Sequence, residues 1–413
     1  MDTLLSGAKV VSPSGILEPG WIRVHDALIT GTGIGDPGPP GPDESIMDID
    51  GYWVLPGLVD IHCHGGGGNS FSSHDPREVE SAALFHREHG STTLWASLVS
   101  APLDDLLLSL GILADLVNDR LVAGIHLEGP FLAKDRCGAQ NSDTLLLPDH
   151  HIMDRLLEAG RDAVRMVTVA PELPGALDLI RQVASAGAIP AIGHTDATYS
   201  QAMAAVDAGA RVATHLFNGM RPIHHRDPGP IVAALERPEV CCELIADGIH
   251  VDPAVVRMVI AIAGASRVAL VSDAIPAAGM PDGNYYLGGQ AIEVRSRISR
   301  LAGKGPAAKG AGGGAGEAGG GAPSKEASGG AGGGGTIAGS TITVGAGLRW
   351  AIVEAGLAAE DAVAAATATP AQLAGLDKTC GKLEVGLVAN MIICDTDFNV
   401  TAVMAGGRWL PER

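Results

Sequence analysis

No run of 18 or more apolar residues occurs in this chain, so nothing in it has the length of a membrane-spanning helix. Basic residues are scarce: 28 Lys and Arg stand against 47 Asp and Glu, a formal net charge of −19. Nucleic acid and anionic membrane surfaces would repel such a chain, and neither is expected as a partner. The six cysteines, at 63, 137, 241, 242, 380 and 394, form no C-x-x-C pair and no regular framework. That is the pattern of free thiols in a reducing compartment. Met1 to Lys9 lacks a basic stretch followed by an apolar one, so a cytoplasmic protein is expected. No glycine-rich dinucleotide fingerprint follows any candidate strand, which argues against a doubly wound open sheet.

What is present is ordinary globular material: 413 residues, 46% hydrophobic and 18% charged, enough for one large core and a smaller one. Residues 1–53 read as short strands and turns, Leu4 to Val11, Trp21 to Val24 and Leu28 to Thr30, too few to stand alone. Asn390 to Asp395, Val400 to Ala405 and Arg408 to Leu410 read the same way, so a small β-sandwich domain of 1–53 and 380–413 is expected. Between them, apolar strand-like runs alternate with helical patterns. The runs are Val54 to Ile61, Thr92 to Val99, Leu121 to Leu127, Val164 to Val169, Ile189 to Gly193, Val212 to Leu216, Cys242 to Ala246 and Arg267 to Ser272. Eight strands separated by helices predict a (β/α)8 TIM-type barrel over 54–379, with its active site at the C-terminal ends of the strands. Gly303 to Gly335, mostly Gly and Ala, reads as a flexible insertion.

The chemistry-bearing residues fall where that barrel needs them. The first strand runs into His62 and His64, whose alternate positions point both imidazoles to one face, and then into four glycines, Gly65 to Gly68. The third strand ends at Glu128, the fifth at His194, the sixth at His215 and the eighth at Asp273. Imidazoles and carboxylates converging on one barrel mouth suit a divalent ion such as Zn²⁺, one or two per subunit. Such an ion supplies Lewis acidity and eases the deprotonation of water, and Asp273 is the candidate to carry that proton to a leaving group. His126 shares the inward parity of Glu128 one step lower, the place of a hydrogen-bonded core histidine. His74, His86, His89, His150, His151, His224 and His225 lie in loops or on helical stretches and read as solvated. No lysine ends the fourth strand, so a carbamylated-lysine bridge has no residue to build on.

With these motifs the chain resembles the amidohydrolase superfamily and, within it, the N-acetylglucosamine-6-phosphate deacetylases. The resemblance rests on P-G-L-V-D-I-H-C-H-G, H-L-E-G-P-F, G-H-T-D-A-T-Y, A-T-H-L-F-N-G-M, I-A-D-G-I-H-V, V-S-D-A-I-P-A-A-G and T-I-A-G-S-T, and spans nearly the whole chain. It implies Glu128, His194 and His215 as primary metal ligands, Asp273 as acid/base, and a second ion at His62 and His64. It implies hydrolysis of the acetamido group of N-acetylglucosamine 6-phosphate to glucosamine 6-phosphate and acetate. It also implies substrate contacts at Asn218, Gly219, Arg226, His250 and Ile337, Ala338 and Gly339, the arginine reaching a neighbouring subunit's site in a homodimer.

One departure bears on the site. Where the family has G-x-H-N after its glutamate, its histidine contacting substrate near the acetyl group, this chain has Gly138, Ala139, Gln140 and Asn141, so the resemblance implies substrate contacts at Ala139 and Gln140; glutamine can donate a hydrogen bond but cannot become cationic. The competing readings are a deacetylase for the galactosamine analogue, another metal-dependent amidohydrolase, and a non-catalytic scaffold. A scaffold would have no use for a full ligand set.

Overall fold

The structure is a computed structural model that describes residues 2–302 and 335–411. The expected insertion therefore lies outside the described residues, apart from its last glycine. Eight parallel strands follow one another around a barrel: Leu58–Asp60, Ser91–Val99, Gly124–Glu128, Val164–Val169, Ile189–Ile192, Val212–Ala213, Cys241–Ile245 and Val268–Val271. The last meets the first through a parallel bridge between Cys63 and Ala274, and Asp273 N donates to His62 O at 2.8 Å. This seam sets the first and eighth strands side by side, and with them His62, His64 and Asp273.

A second sheet comes from both chain ends. Strands Thr3–Ser12, Gly15–His25 and Leu28–Ile34 pair in sequence, and Trp53–Pro56 joins them to Met391–Cys394, Val400–Ala405 and Arg408–Trp409. A separate small core of Leu5, Val10, Ile22, Val24, Met391 and Met404 fills this β-sandwich. The run Val54 to Ile61 is thus not one barrel strand. Val54 and Leu55 pair with Ile393 and Ile392 in the terminal sheet, and the chain enters the barrel only after Gly57. A Cβ at Gly57 would lie 2.2 Å from Thr92 Oγ1, so glycine permits the switch between sheets.

The helix Pro76–Glu88 illustrates how the outer ring forms. Asp75 caps its N-terminus by accepting from Arg77 N, Pro76 opens its first turn, and Val79, Ala82, Ala83 and His86 form one buried face. His86 is therefore not solvated: it is fully buried and bonds Gly65 O through Nε2 at 2.9 Å. Its place on the inner helical face, seven residues after Val79, outweighed its polarity.

Inside the barrel, Trp95, Met166, Ala191, Val212, Cys241 and Ala269 pack together as an apolar floor. Burying a large apolar side chain contributes roughly 1.5–3 kcal/mol, so the floor fixes the strands beneath the mouth. Above it a hydrogen-bonded belt runs from Ser97 Oγ to His126 Nδ1 (3.0 Å), from His126 Nε2 to Thr168 Oγ1 (2.8 Å), and on to Thr214 Oγ1 (2.9 Å). His126 is the core histidine its parity implies. A three-stranded antiparallel sheet, Gly283–Leu287, Gln290–Arg295 and Ile298–Leu301, packs Leu287, Ile292 and Val294 against Val99, Ala139, Ile275 and Ala338 beside the mouth. Sequence reading did not anticipate this sheet. Its apolar positions are few and its strands are short.

Candidate metal centre

The six expected ligands meet at the barrel mouth in two overlapping groups. Glu128 Oε1 lies 3.0 Å from His194 Nε2 and 2.9 Å from His215 Nε2, and these two nitrogens are 3.1 Å apart. His62 Nε2 and His64 Nε2 are 3.2 Å apart, with Asp273 Oδ1 at 3.5 and 3.3 Å from them. Glu128 joins the groups, since His64 Nε2 lies 3.3 Å from its Oε2. All six side chains are buried.

The ring nitrogens decide whether this set suits a divalent ion. Nδ1 of His64 faces Ser97 O at 3.2 Å, Nδ1 of His194 faces Arg136 O at 2.8 Å, and Nδ1 of His62 faces the carboxylate of Glu243 at 2.9 Å. A carbonyl or carboxylate oxygen only accepts, so each Nδ1 carries a proton, and in the neutral ring that would bind a cation each Nε2 turns a lone pair into the shared space. Three lone pairs and two carboxylates aimed at one another fit a cation between them.

The electrostatics agree. Burial opposes the charged form of His62, but Glu243, Asp273 and Glu128 outweigh it and push its pKa up to about 10. Burial likewise opposes charge on His64, and hydrogen bonds to Asp273 and Glu128 carry it up to about 9. Burial works against the Glu128 carboxylate too, yet His194, His215 and His64 hold it well below the usual range. The pocket favours positive charge even at fully buried positions.

Backbone strain marks the same residues. His194, His215 and Asp273 have φ of 47°, 29° and 45°, the left-handed region that non-glycine residues seldom adopt. Each such residue costs on the order of 1–3 kcal/mol, which surrounding structure must offset. The strained residue at His215 also ends its strand early: Val212–Ala213 is regular, whereas the sequence suggested a run to Leu216.

The other expected site residues divide into two sets. Gly219 packs against His194, where a Cβ would lie 2.9 Å from its Nδ1, and Gly339 packs against Asp273, where a Cβ would lie 2.9 Å from its carbonyl oxygen. Asn218 donates from Nδ2 to His215 O at 3.2 Å, Ala338 is buried, and Ile337 bridges to Arg300 in the added sheet. Ala139 is buried, and Gln140 donates from Nε2 to Glu128 Oε2 at 2.7 Å while accepting from Ser100 N at 2.8 Å. Among the described residues, neither Arg226 nor His250 makes a hydrogen bond or ion pair with the six ligands. Arg226 is exposed on the loop after the sixth strand and bonds its neighbour His225, with no carboxylate partner among the described residues. His250 bonds Asp247 through Nδ1 at 2.6 Å.

Sequence reasoning missed Glu243, Asp247, Asp60 and Ser97. A carboxylate inside an apolar strand was the available signal for Glu243, in C-C-E-L-I, and for Asp60, in L-V-D-I-H, where Ser272 Oγ donates to it at 2.6 Å.

Comparison with known proteins accords with this geometry. The Amidohydrolase family profile matches residues 53–410. The chain belongs to that family. A solved structure from Mycobacterium smegmatis, an N-acetyl-D-glucosamine-6-phosphate deacetylase carrying an aspartate-to-alanine mutation and complexed with N-acetyl-D-glucosamine-6-phosphate, is 40% identical. It superposes with a TM-score of 0.87 over 99% of each chain. An N-acetylglucosamine-6-phosphate deacetylase of Vibrio furnissii is 31% identical over 86% of this chain and 82% of its own length. An N-acetylgalactosamine-6-phosphate deacetylase of Escherichia coli O157:H7 is 29% identical over 99% of each.

Proposed function

We propose that this chain is a metal-dependent deacetylase that hydrolyses the acetamido group of N-acetylglucosamine 6-phosphate, releasing acetate and glucosamine 6-phosphate. The single observation that carries this is the inward-facing set of His62, His64, His194, His215, Glu128 and Asp273, in a chain 40% identical to an enzyme solved with that sugar phosphate. Glu128, His194 and His215 would hold one ion, and His62, His64 and Asp273 a second, with Zn²⁺ suited to both. A bound ion polarises the amide carbonyl and makes water more acidic.

The chain's own residues do the rest. Asp273, at the end of the eighth strand, takes one proton from water as its oxygen bonds the acetyl carbon. It returns that proton to the nitrogen as the C–N bond breaks. Ala338 and Gly339, beside Asp273, and Asn218 and Gly219, beside His215 and His194, line the sugar's place. Asp247 fixes the His250 ring by accepting from its Nδ1–H, and a proton on Nε2 would let that nitrogen donate to the phosphate. Arg226, exposed and without a carboxylate partner among the described residues, supplies a positive contact to the phosphate of a neighbouring subunit in a homodimer. Six free cysteines, five of them buried, fit a cytoplasmic setting.

The test is acetate release from a panel of N-acetylglucosamine and N-acetylgalactosamine, each with and without the 6-phosphate. The proposal expects N-acetylglucosamine 6-phosphate to give the highest kcat/KM. Preference for the galactosamine phosphate would move the assignment to the activity named for the Escherichia coli relative, and turnover of neither phosphate would overturn it.

A further inference from the structure

Glu243 stands in the middle of the seventh barrel strand, Cys241–Ile245, with no solvent exposure. Burying a carboxylate costs several kcal/mol unless specific partners offset it. Glu243 has two, both belonging to the metal centre: Oε2 accepts from His62 Nδ1 at 2.9 Å and from the backbone N–H of His215 at 3.1 Å. Among the described residues its Oε1 has no hydrogen-bond partner, so the residue is not there to complete a polar network of its own.

The four histidines are supported differently. His64 and His194 rest on backbone carbonyls, and His215 Nδ1 has no partner among the described residues. Among the described ligands only His62 is backed by a carboxylate. A carboxylate behind a ligating imidazole fixes its tautomer and ring orientation and raises the basicity of the opposite nitrogen. Here that nitrogen is His62 Nε2, which faces His64 Nε2 and Asp273 Oδ1. Glu243 also brings the carboxylates that contact the four histidine rings to three with Glu128 and Asp273, and no Lys or Arg among the described residues pairs with any of them. One divalent ion leaves that set negative; two are needed to offset it.

We propose that Glu243 is a positioning residue that secures the ion of the His62, His64 and Asp273 group, acting through His62, while the Glu128, His194 and His215 group does not depend on its charge. This rests on the two-ion reading above. The isosteric Glu243→Gln removes the charge and keeps an acceptor for His62 and His215, whereas Glu243→Ala removes both. The experiment is titration of metal-free protein with Zn²⁺ by calorimetry, with bound metal counted after dialysis. Wild type is expected to take two equivalents. Glu243→Gln is expected to bind one of them at least about 10-fold more weakly and Glu243→Ala up to about 100-fold, with the other equivalent and the thermal midpoint of the Gln variant little changed.

A double-mutant cycle separates positioning from general support. In a His62→Ala background, Glu243→Gln should alter the remaining ion's affinity no further. Two ions held by both Glu243 variants with wild-type affinity would overturn the proposal, as would equal weakening of both equivalents. If neither variant folds, Glu243→Asp, which keeps the charge but shortens its reach to His62, must show the same selective loss or the proposal fails. A wild-type chain that takes fewer than two ions overturns the two-ion reading itself, an outcome visible before any variant is compared.

Discussion

Gln140 donates to Glu128 Oε2 at 2.7 Å, on the carboxylate whose other oxygen faces His194 and His215. Ser100 N fixes the amide by donating to its Oε1. Both polar atoms of the side chain are engaged, so glutamine here orients the carboxylate that joins the two halves of the centre. Gln140→Glu sets a second carboxylate against Glu128, and Gln140→Ala leaves its buried oxygen short of a donor. We predict that both lower kcat at least about 10-fold, the scale of a lost supporting hydrogen bond at a metal site. Steady-state kinetics check this, and wild-type kcat in both variants would remove Gln140 from the site.

Asp273→Asn should keep the fold, since the backbone N–H and carbonyl of Asp273 hold the seam to His62 and Ser340 without its side chain. An amide cannot accept and return the proton. We predict a kcat lower by about 10² to 10⁴ with KM little changed. A stable variant with near-normal kcat would end the proton-transfer role.

Arg226 gives a prediction about assembly. If it serves the neighbouring subunit, Arg226→Ala and Asp273→Asn are each inactive alone but complement in a mixed dimer, where one site has both residues. Random pairing on co-expression makes half the dimers mixed, so about a quarter of wild-type activity should return. No recovery would place Arg226 in its own subunit's site or outside any site.

Stability should fall in acid, and His86 supplies part of the reason. Burial keeps its imidazole neutral and lowers its pKa to about 4. The unfolded chain takes up a proton near pH 6.5 and the folded one does not, so the contribution is complete above that pH. It is lost as pH falls toward 4, by roughly 3 kcal/mol in all. Thermal midpoints across pH 7.5 to 4.5 test this: His86→Gln should be less stable than wild type at pH 7.5 and decline less steeply. Parallel curves would assign the acid limb to other groups.

Much of this was legible in the chain itself because the signals were periodic or dense. Alternation of apolar runs with helical patterns gave the barrel, and ligands at strand ends gave the centre. What was not legible depends on distant partners. The switch at Gly57 is visible only once Ile392 and Ile393 pair with Leu55 and Val54, 337 to 339 residues further on. His86 reads as surface until the buried face of its helix is known, and Glu243 reads as an isolated charge until His62, 181 residues earlier, lies beside it. The bonds that spend both ends of Gln140 likewise need Ser100 and Glu128 in place.

The central claim is hydrolysis dependent on ions held by these six side chains. The most direct measurement is acetate release from N-acetylglucosamine 6-phosphate by protein stripped with a chelator, then supplied with Zn²⁺ or another divalent ion. The account predicts no turnover in the stripped protein and its return on adding an ion, in wild type but not in a His194→Ala and His215→Ala double variant. Full turnover by protein shown to be free of metal would contradict it.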